Sequence, residues 1–148
     1  MTPGTQASQR DAHSILELVR SIPLDRQRVR IVAKHGLTDE EAEKWLDEYR
    51  KWVALRRCFE GAYMVPTAVV DEVWHEHIVD TRRYTDFCER VFGRYLHHEP
   101  IIDPSENQSK SAKQAFTFTK QMWAKCFGSD PMRSEMADCS ETNSPCQG

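Results

Sequence analysis

The sequence has no apolar run that approaches the roughly 20 residues of a membrane-spanning helix. Its first residues, "MTPGTQASQRDAHS", are polar and have no apolar core, so a secretory signal peptide is not expected. Only 6 of the 148 residues are glycine, and none of them belongs to a glycine-rich phosphate-binding loop. These absences predict a protein that makes no membrane contact and is located in the cytoplasm.

An excess of positive charge is also missing. The formal net charge is −3, so no overall positive field would attract nucleic-acid phosphates. The basic stretch "YRKWVALRR" is predicted to be helical, and its charges would spread around the helix and face water. We therefore expect no nucleic-acid partner.

Cysteine pairs at metal-binding spacing are absent, because none of the five cysteines forms a C-x-x-C motif. Cys58, Cys88 and Cys126 each lie in an apolar helical pattern, where a reduced thiol behaves as a small hydrophobic side chain. Cys139 and Cys146 lie in a polar segment without a nearby histidine, so they make at most half of a zinc site. This cysteine usage fits a reducing compartment best.

The sequence does contain a series of helical patterns. Its content of 39% hydrophobic and 29% charged residues is typical of one soluble globular domain. Apolar residues recur at helical spacing in about six segments, without an alternating strand pattern of useful length. The predicted fold is all-α: a single compact bundle of about six helices at residues 11–128, between a flexible lead-in at residues 1–10 and a flexible cysteine-containing tail at residues 129–148.

The clearest predicted helix start is at Thr38. Glu41 follows three residues later, which is the spacing of a capping box, and the first turn is acidic, as the helix dipole favours. Trp45, Tyr49 and Trp52 then recur at steps of four and three. This stripe predicts a face that is buried in the core.

Four of the six histidines fall in one segment, "VDEVWHEHIVDTRRYTDFCERVFGRYLHHEP", at residues 70–100. Histidine titrates near neutral pH and is a common metal ligand. If residues 68–96 form one helix, one face of it has the spacing of a buried seam: Val70, Trp74, His77, Thr81, Tyr84, Cys88, Val91 and Tyr95. On this seam His77 would be a core histidine, bonded to a neighbour such as Tyr84 or to a backbone carbonyl.

His75 belongs to a different face. It lies two residues before His77, a rotation of about 200°, so on a regular helix the two imidazoles cannot share one metal ion. It lies four residues after Asp71 on the same face. An Asp/His pair at this spacing can bind a metal, orient an imidazole or form an ordinary surface pair.

The helix need not be continuous. Asp80–Thr81 has the composition of an N-cap inside the segment, which would divide it into two helices, and Pro100 is predicted to end the second. If these helices fold back as a hairpin, His97 or His98 would return towards the Asp/His pair. An Asp/His/His ligand set is then geometrically available.

The same segment resembles the helical domain of the glycine-rich-domain-containing proteins, a family known in plants and bacteria. The family pattern is V-D-x-x-W-H-x-H, followed by a tyrosine, a cysteine, a glycine and a final H-x-P. In this sequence it falls on Val70, Asp71, Trp74, His75, His77, Tyr84, Cys88, Gly93, His98 and Pro100. The flanking stretches "EYRKWVAL" and "AFTFTKQMWAKCFG" extend the resemblance to roughly residues 37–128, whereas the glycine-rich region that names the family is not found in this sequence.

The resemblance implies the helical fold and a functional His/Asp cluster, but the family has no established reaction. In the first hypothesis the module binds zinc or iron, because imidazole disfavours magnesium, and an open coordination position would allow metal-dependent catalysis. The ligands would be Asp71, His75 and His98, with His77 as a fourth ligand or a supporting residue, and the pocket would be lined by Trp74, Tyr84, Cys88 and His97. Glu72 and Glu76 are the nearest carboxylates, and each is expected to be a solvated charge.

The second hypothesis is a non-catalytic interaction module. The tryptophan, the histidines and the tyrosine of the segment would then form a hydrogen-bonded core, and an unidentified protein partner would bind a surface groove or the tail.

Overall fold

A computed structural model describes residues 3–99, 110–128 and 131, with side chains from residue 11 onward. These residues form six helices and contain no strand. The helices are α1 (Pro3–Arg20), α2 (Asp25–His35), α3 (Asp39–Cys58), α4 (Ala68–Ile78), α5 (Thr81–Phe92) and α6 (Lys110–Phe127). The prediction of a compact all-α bundle is confirmed.

Helix α3 lies at the centre of the bundle, since α1, α2, α4 and α6 all pack against it. Its start is fixed by the predicted capping box: the Thr38 hydroxyl accepts a hydrogen bond from Glu41 N (3.1 Å), and the Glu41 carboxylate accepts one from Thr38 N (2.9 Å). Trp45, Tyr49 and Trp52 are buried. The predicted core face of this helix is therefore confirmed.

The histidine segment forms two helices, as the interrupted alternative predicted. Helix α4 ends at Ile78, α5 begins at Thr81, and α5 packs back against α4. Asp80 occupies the N-cap position of α5, but its side chain makes no capping hydrogen bond. The Asp80 carboxylate instead accepts hydrogen bonds from Arg26 (2.8 Å) and Gln27 (3.1 Å) of α2. The junction between the two helices is therefore attached to α2.

Helix α5 ends earlier than the sequence predicted. Gly93 adopts a left-handed conformation (φ 72°), and its N–H bonds to the Glu89 carbonyl and caps the helix. The prediction that Pro100 ends this helix was wrong, because the left-handed cap comes first in the chain. Residues 95–99, which include His97 and His98, then run without helix or strand.

The buried seam holds along most of its length. Val70, Trp74, His77, Tyr84, Cys88 and Val91 are buried, whereas Thr81 is exposed and Tyr95 is half-buried. Thr81 is an exception because α4 ends at Ile78 and α5 begins at Thr81, so the spacing of one continuous helix does not apply across this break.

Several predictions concern residues beyond those described. The side chains of residues 1–10, and residues 132–148 with Cys139 and Cys146, lie outside the described residues, so the flexible termini and the half zinc site stay predictions. Pro131, within the predicted tail, is buried. In the described part of the chain, no helix is both long and apolar enough to cross a bilayer, and Cys88 and Cys126 are free thiols.

Candidate metal centre

Three of the predicted ligands come together beside α4. Asp71 and His75 lie one turn apart on this helix, and His98 reaches them from the segment that follows α5. The distance from Asp71 Oδ1 to His98 Nε2 is 2.7 Å, and that to His75 Nε2 is 3.8 Å. Each residue offers one ligand atom, and these three atoms lie within 4.8 Å of one another, so the group could hold a metal ion.

Local backbone structure places Asp71 in the first turn of α4. Thr67 is the N-cap: its hydroxyl oxygen accepts a hydrogen bond from Val70 N (3.2 Å), and the hydroxyl donates to Glu48 Oε2 of α3 (2.7 Å). The start of α4 is thus attached to the central helix. The positive end of the helix dipole favours a carboxylate at this position.

The segment that carries His98 is held by side chains of α5. The Tyr84 hydroxyl accepts a hydrogen bond from Trp74 Nε1 (2.9 Å) and donates one to the Leu96 carbonyl. Cys88 Sγ accepts a hydrogen bond from Leu96 N (3.5 Å). Both backbone polar groups of Leu96 are therefore bonded to α5, two residues before His98.

Aromatic rings form one wall of the centre. The ring centroids of Trp74 and His98 are 4.4 Å apart, and Trp74 packs against Trp52 deeper in the core (4.6 Å). The side chains of Asp71, His98 and His75 are 6%, 11% and 17% exposed. The centre is thus largely shielded from water, which strengthens electrostatic interactions within it.

His75 is suited to coordinate a metal. Burial lowers the pKa of its imidazole, although the neighbouring Asp71 carboxylate acts in the opposite direction. The neutral ring, which is the form that binds metals, therefore prevails at neutral pH. His75 Nδ1 is buried and has no hydrogen-bond partner among the described residues, so none of them prevents it from carrying the proton while Nε2 faces the centre.

The centre lies within the part of the chain that matches a known protein family. A family model described as UCP032817-like matches residues 15–134. The chain belongs to the UCP032817-like family. It is also 30% identical over 66 residues to "Glycine-rich domain-containing protein 1" of Arabidopsis thaliana, an alignment that spans 45% of this chain and 8% of the relative's length. The resemblance inferred from the sequence is thereby confirmed, and no solved structure matches the chain.

Two further histidines of this UCP032817-like chain, His77 and His97, lie outside the centre. His77 lies on the opposite side of α4, where its Nδ1 is 2.7 Å from the Tyr49 hydroxyl, and burial lowers its pKa to about 4. It is a core histidine, bonded to Tyr49 and not to the suggested Tyr84. His97 is exposed, and its ring contacts that of Tyr95 (4.7 Å between centroids). Neither histidine is placed to share an ion with Asp71.

The two glutamates nearest to the centre both lie against basic side chains. Glu76 is 2.5 Å from Arg30 Nε and 3.5 Å from Lys34 Nζ, and Glu72 is 3.1 Å from His35 Nε2. The expectation that Glu76 is a solvated charge was wrong, since packing of α2 against α4 leaves only 5% of this residue exposed. Because Arg30 and Lys34 both pair with the Glu76 carboxylate, this group is not available to act as a general base.

Sequence reasoning missed three hydrogen-bond partners around the candidate site of this UCP032817-like chain. Tyr49 and Glu48 lie on α3, far in sequence from the histidines, so no spacing rule relates them to His77 or Thr67. Leu96 takes part through its backbone, and its side-chain type carries no signal of that role. Only the folded chain shows these partners.

Proposed function

We propose that this chain is a metal-binding helical module that holds a zinc or iron ion with Asp71, His75 and His98. The observation that supports this function is the convergence of one carboxylate and two imidazoles within 4.8 Å at a largely buried position. Two imidazoles and one carboxylate are the ligand set of several zinc enzymes and of non-haem iron oxygenases. Imidazole ligands also favour these ions over magnesium.

The distances suit such an ion after small side-chain movements. Ligand atoms around tetrahedral zinc lie about 2.0–2.2 Å from the metal and therefore about 3.3–3.6 Å from one another. Asp71 Oδ1 is 2.7 Å from His98 Nε2 and 3.8 Å from His75 Nε2, one value below that range and one above it. A bound ion would replace the hydrogen bond between Asp71 and His98.

Three protein ligands leave at least one coordination position for a water molecule or a substrate. This is the arrangement of catalytic zinc sites and of the iron facial triad, so a bound ion could support hydrolytic or oxidative chemistry. The contribution of the chain would be to orient the two imidazoles and to exclude bulk water with the Trp74 ring.

The test is the metal content of protein purified without a histidine tag. We expect about one zinc or iron ion per chain in wild type, and loss of that ion in His75→Ala and in His98→Ala with the helical circular dichroism unchanged. His97→Ala is the matched control, because it removes an exposed neighbouring imidazole. Wild-type protein that is metal-free, and that also takes up no added zinc, iron or copper at neutral pH, would contradict the proposal.

A second candidate function is the protein-interaction module. Its support is a groove of about 630 Å³ that includes none of the three proposed ligands and carries both signs of charge: it is lined by Arg20, Glu40, Glu43, Lys44, Asp47, Glu48, Arg50, Lys51, Trp123 and Pro131. A metal-free result would favour this function, in which the histidines serve the fold alone.

A further inference from the structure

The Tyr84 hydroxyl joins the two parts of the chain that supply the ligands. It accepts from Trp74 Nε1 on α4, next to His75, and it donates to the carbonyl of Leu96, two residues before His98. Tyr84 itself is 1% exposed. One buried oxygen atom therefore connects the helix that carries two ligands to the segment that carries the third.

The segment after α5 depends on such side-chain contacts. Residues 95–99 have neither helix nor strand, so the regular backbone bonds that fix Asp71 and His75 do not fix His98. The backbone of Leu96 is bonded twice to α5: its carbonyl accepts from the Tyr84 hydroxyl, and its N–H donates to Cys88 Sγ. The position of the His98 backbone thus follows from α5.

The indole of Trp74 adds a second connection. Its Nε1–H bonds to Tyr84, while its ring lies 4.4 Å from the ring of His98. A change at the tyrosine hydroxyl therefore reaches the imidazole both through the backbone and through the indole. Burial raises the pKa of Tyr84, so the hydroxyl keeps the proton that it donates.

We propose that Tyr84 is a positioning residue of the metal centre, which sets where His98 meets Asp71 and His75 without itself binding the ion. The inference rests on the proposed metal-binding function. Removal of a residue that holds a metal ligand in place, without binding the ion, typically lowers metal affinity by about 10–100-fold. Loss of the single hydroxyl oxygen should therefore weaken binding while all three ligands remain present.

The experiment compares wild type with Tyr84→Phe and with the control Tyr95→Phe, whose ring packs against that of Tyr84 (5.2 Å between centroids). Metal-free protein is titrated with Co²⁺, and the visible ligand-field absorption is followed. We expect the Kd of Tyr84→Phe to rise at least about 10-fold, with an altered Co²⁺ spectrum. Tyr95→Phe should bind as wild type does. Equal affinity in Tyr84→Phe and wild type would overturn the inference.

A second arm needs no metal. The imidazole resonances of the metal-free variants are recorded by NMR, and that of His98 is assigned by its loss in His98→Ala. Tyr84→Phe should shift the His98 resonance, and Tyr95→Phe should not; an unmoved resonance would overturn the inference. A shifted resonance in a protein that binds no Co²⁺ would reject the metal function and retain the positioning of His98. If Tyr84→Phe loses its helical signal, Cys88→Ala replaces it in both arms, because it removes the other bond to Leu96.

Discussion

At the scale of single residues, His75 and His77 have different environments although only Glu76 separates them. The rotation of α4 sends His75 towards Asp71 and sends His77 into the core beside Tyr49. Helical geometry alone predicts this division, because two residues correspond to a turn of about 200°. The partner of His77 could not be predicted, since it lies on another helix.

The burial of His77 predicts how stability depends on pH in the metal-free protein. Its folded-state pKa of about 4 lies below the unfolded value of about 6.5. The unfolded chain therefore binds the proton first, and stability is lost as the pH falls from about 6.5 towards 4. Among the described residues, the ionisable groups that face this ring are Tyr49, Tyr84, Asp80 and Arg50.

The comparison is between wild type and His77→Gln, measured by urea unfolding at pH 7 and at pH 4.5 in a chelator. The glutamine can bond to Tyr49 but does not titrate, and the other five histidines are common to both proteins. Wild type should lose about 2–3 kcal/mol more than the variant between these pH values. Parallel pH profiles would show that His77 is not the group responsible.

At the scale of elements, the centre depends on how α5 ends. The sequence contains two stop signals for this helix, Gly93 and Pro100, and the proline was the expected one. The glycine comes first and adopts the left-handed conformation, which turns the chain early enough for His98 to return to α4. The position of His98, which depends on a turn of this kind, cannot be derived from helical spacing.

Gly93→Ala tests that role. A Cβ at this glycine would meet no atom of the described residues within 4 Å, so the expected cost of about 1–2 kcal/mol comes from the left-handed backbone. Gly36→Ala is the matched control, because Gly36 caps α2 with a similar φ of 65° and a similarly open surrounding.

Both glycine variants should lose a similar free energy of unfolding in thermal or urea denaturation. Only Gly93→Ala should also weaken metal binding, since its turn leads to His98. Equal metal affinities in the two variants would show that the turn at Gly93 does not determine the position of His98.

At the scale of the whole molecule, the general architecture followed from the sequence. Apolar spacing predicted the helices and the buried stripe of α3, because both depend on residues close together in the chain. The packing of the helices against one another could not be predicted from the sequence. The burial of Glu76 under α2 and the attachment of Asp80 to α2 depend on contacts between distant segments.

The C-terminal segment gives a prediction at this scale. Removal of residues 132–148 should leave the free energy of unfolding unchanged, because that stretch is poor in apolar residues. Removal of residues 129–148 should cost about 1–2 kcal/mol, since it also deletes Pro131, which is buried and lines the same groove as Trp123. Urea unfolding of the two truncated chains provides the measurement. A lower free energy of unfolding after removal of residues 132–148 alone would show that these terminal residues contribute to the fold.

The bond between Asp71 and His98 joins positions 27 residues apart and encloses all of α5. An ion at this point would act as a cross-link that closes a loop, and it would remove conformational freedom from the unfolded ensemble. Because an unfolded chain has no preformed site, binding and folding would become one thermodynamic quantity. Each tenfold rise in free metal above its dissociation constant would add about 1.4 kcal/mol to the free energy of unfolding. The resistance of the fold to denaturation would thus depend on how much metal its surroundings supply.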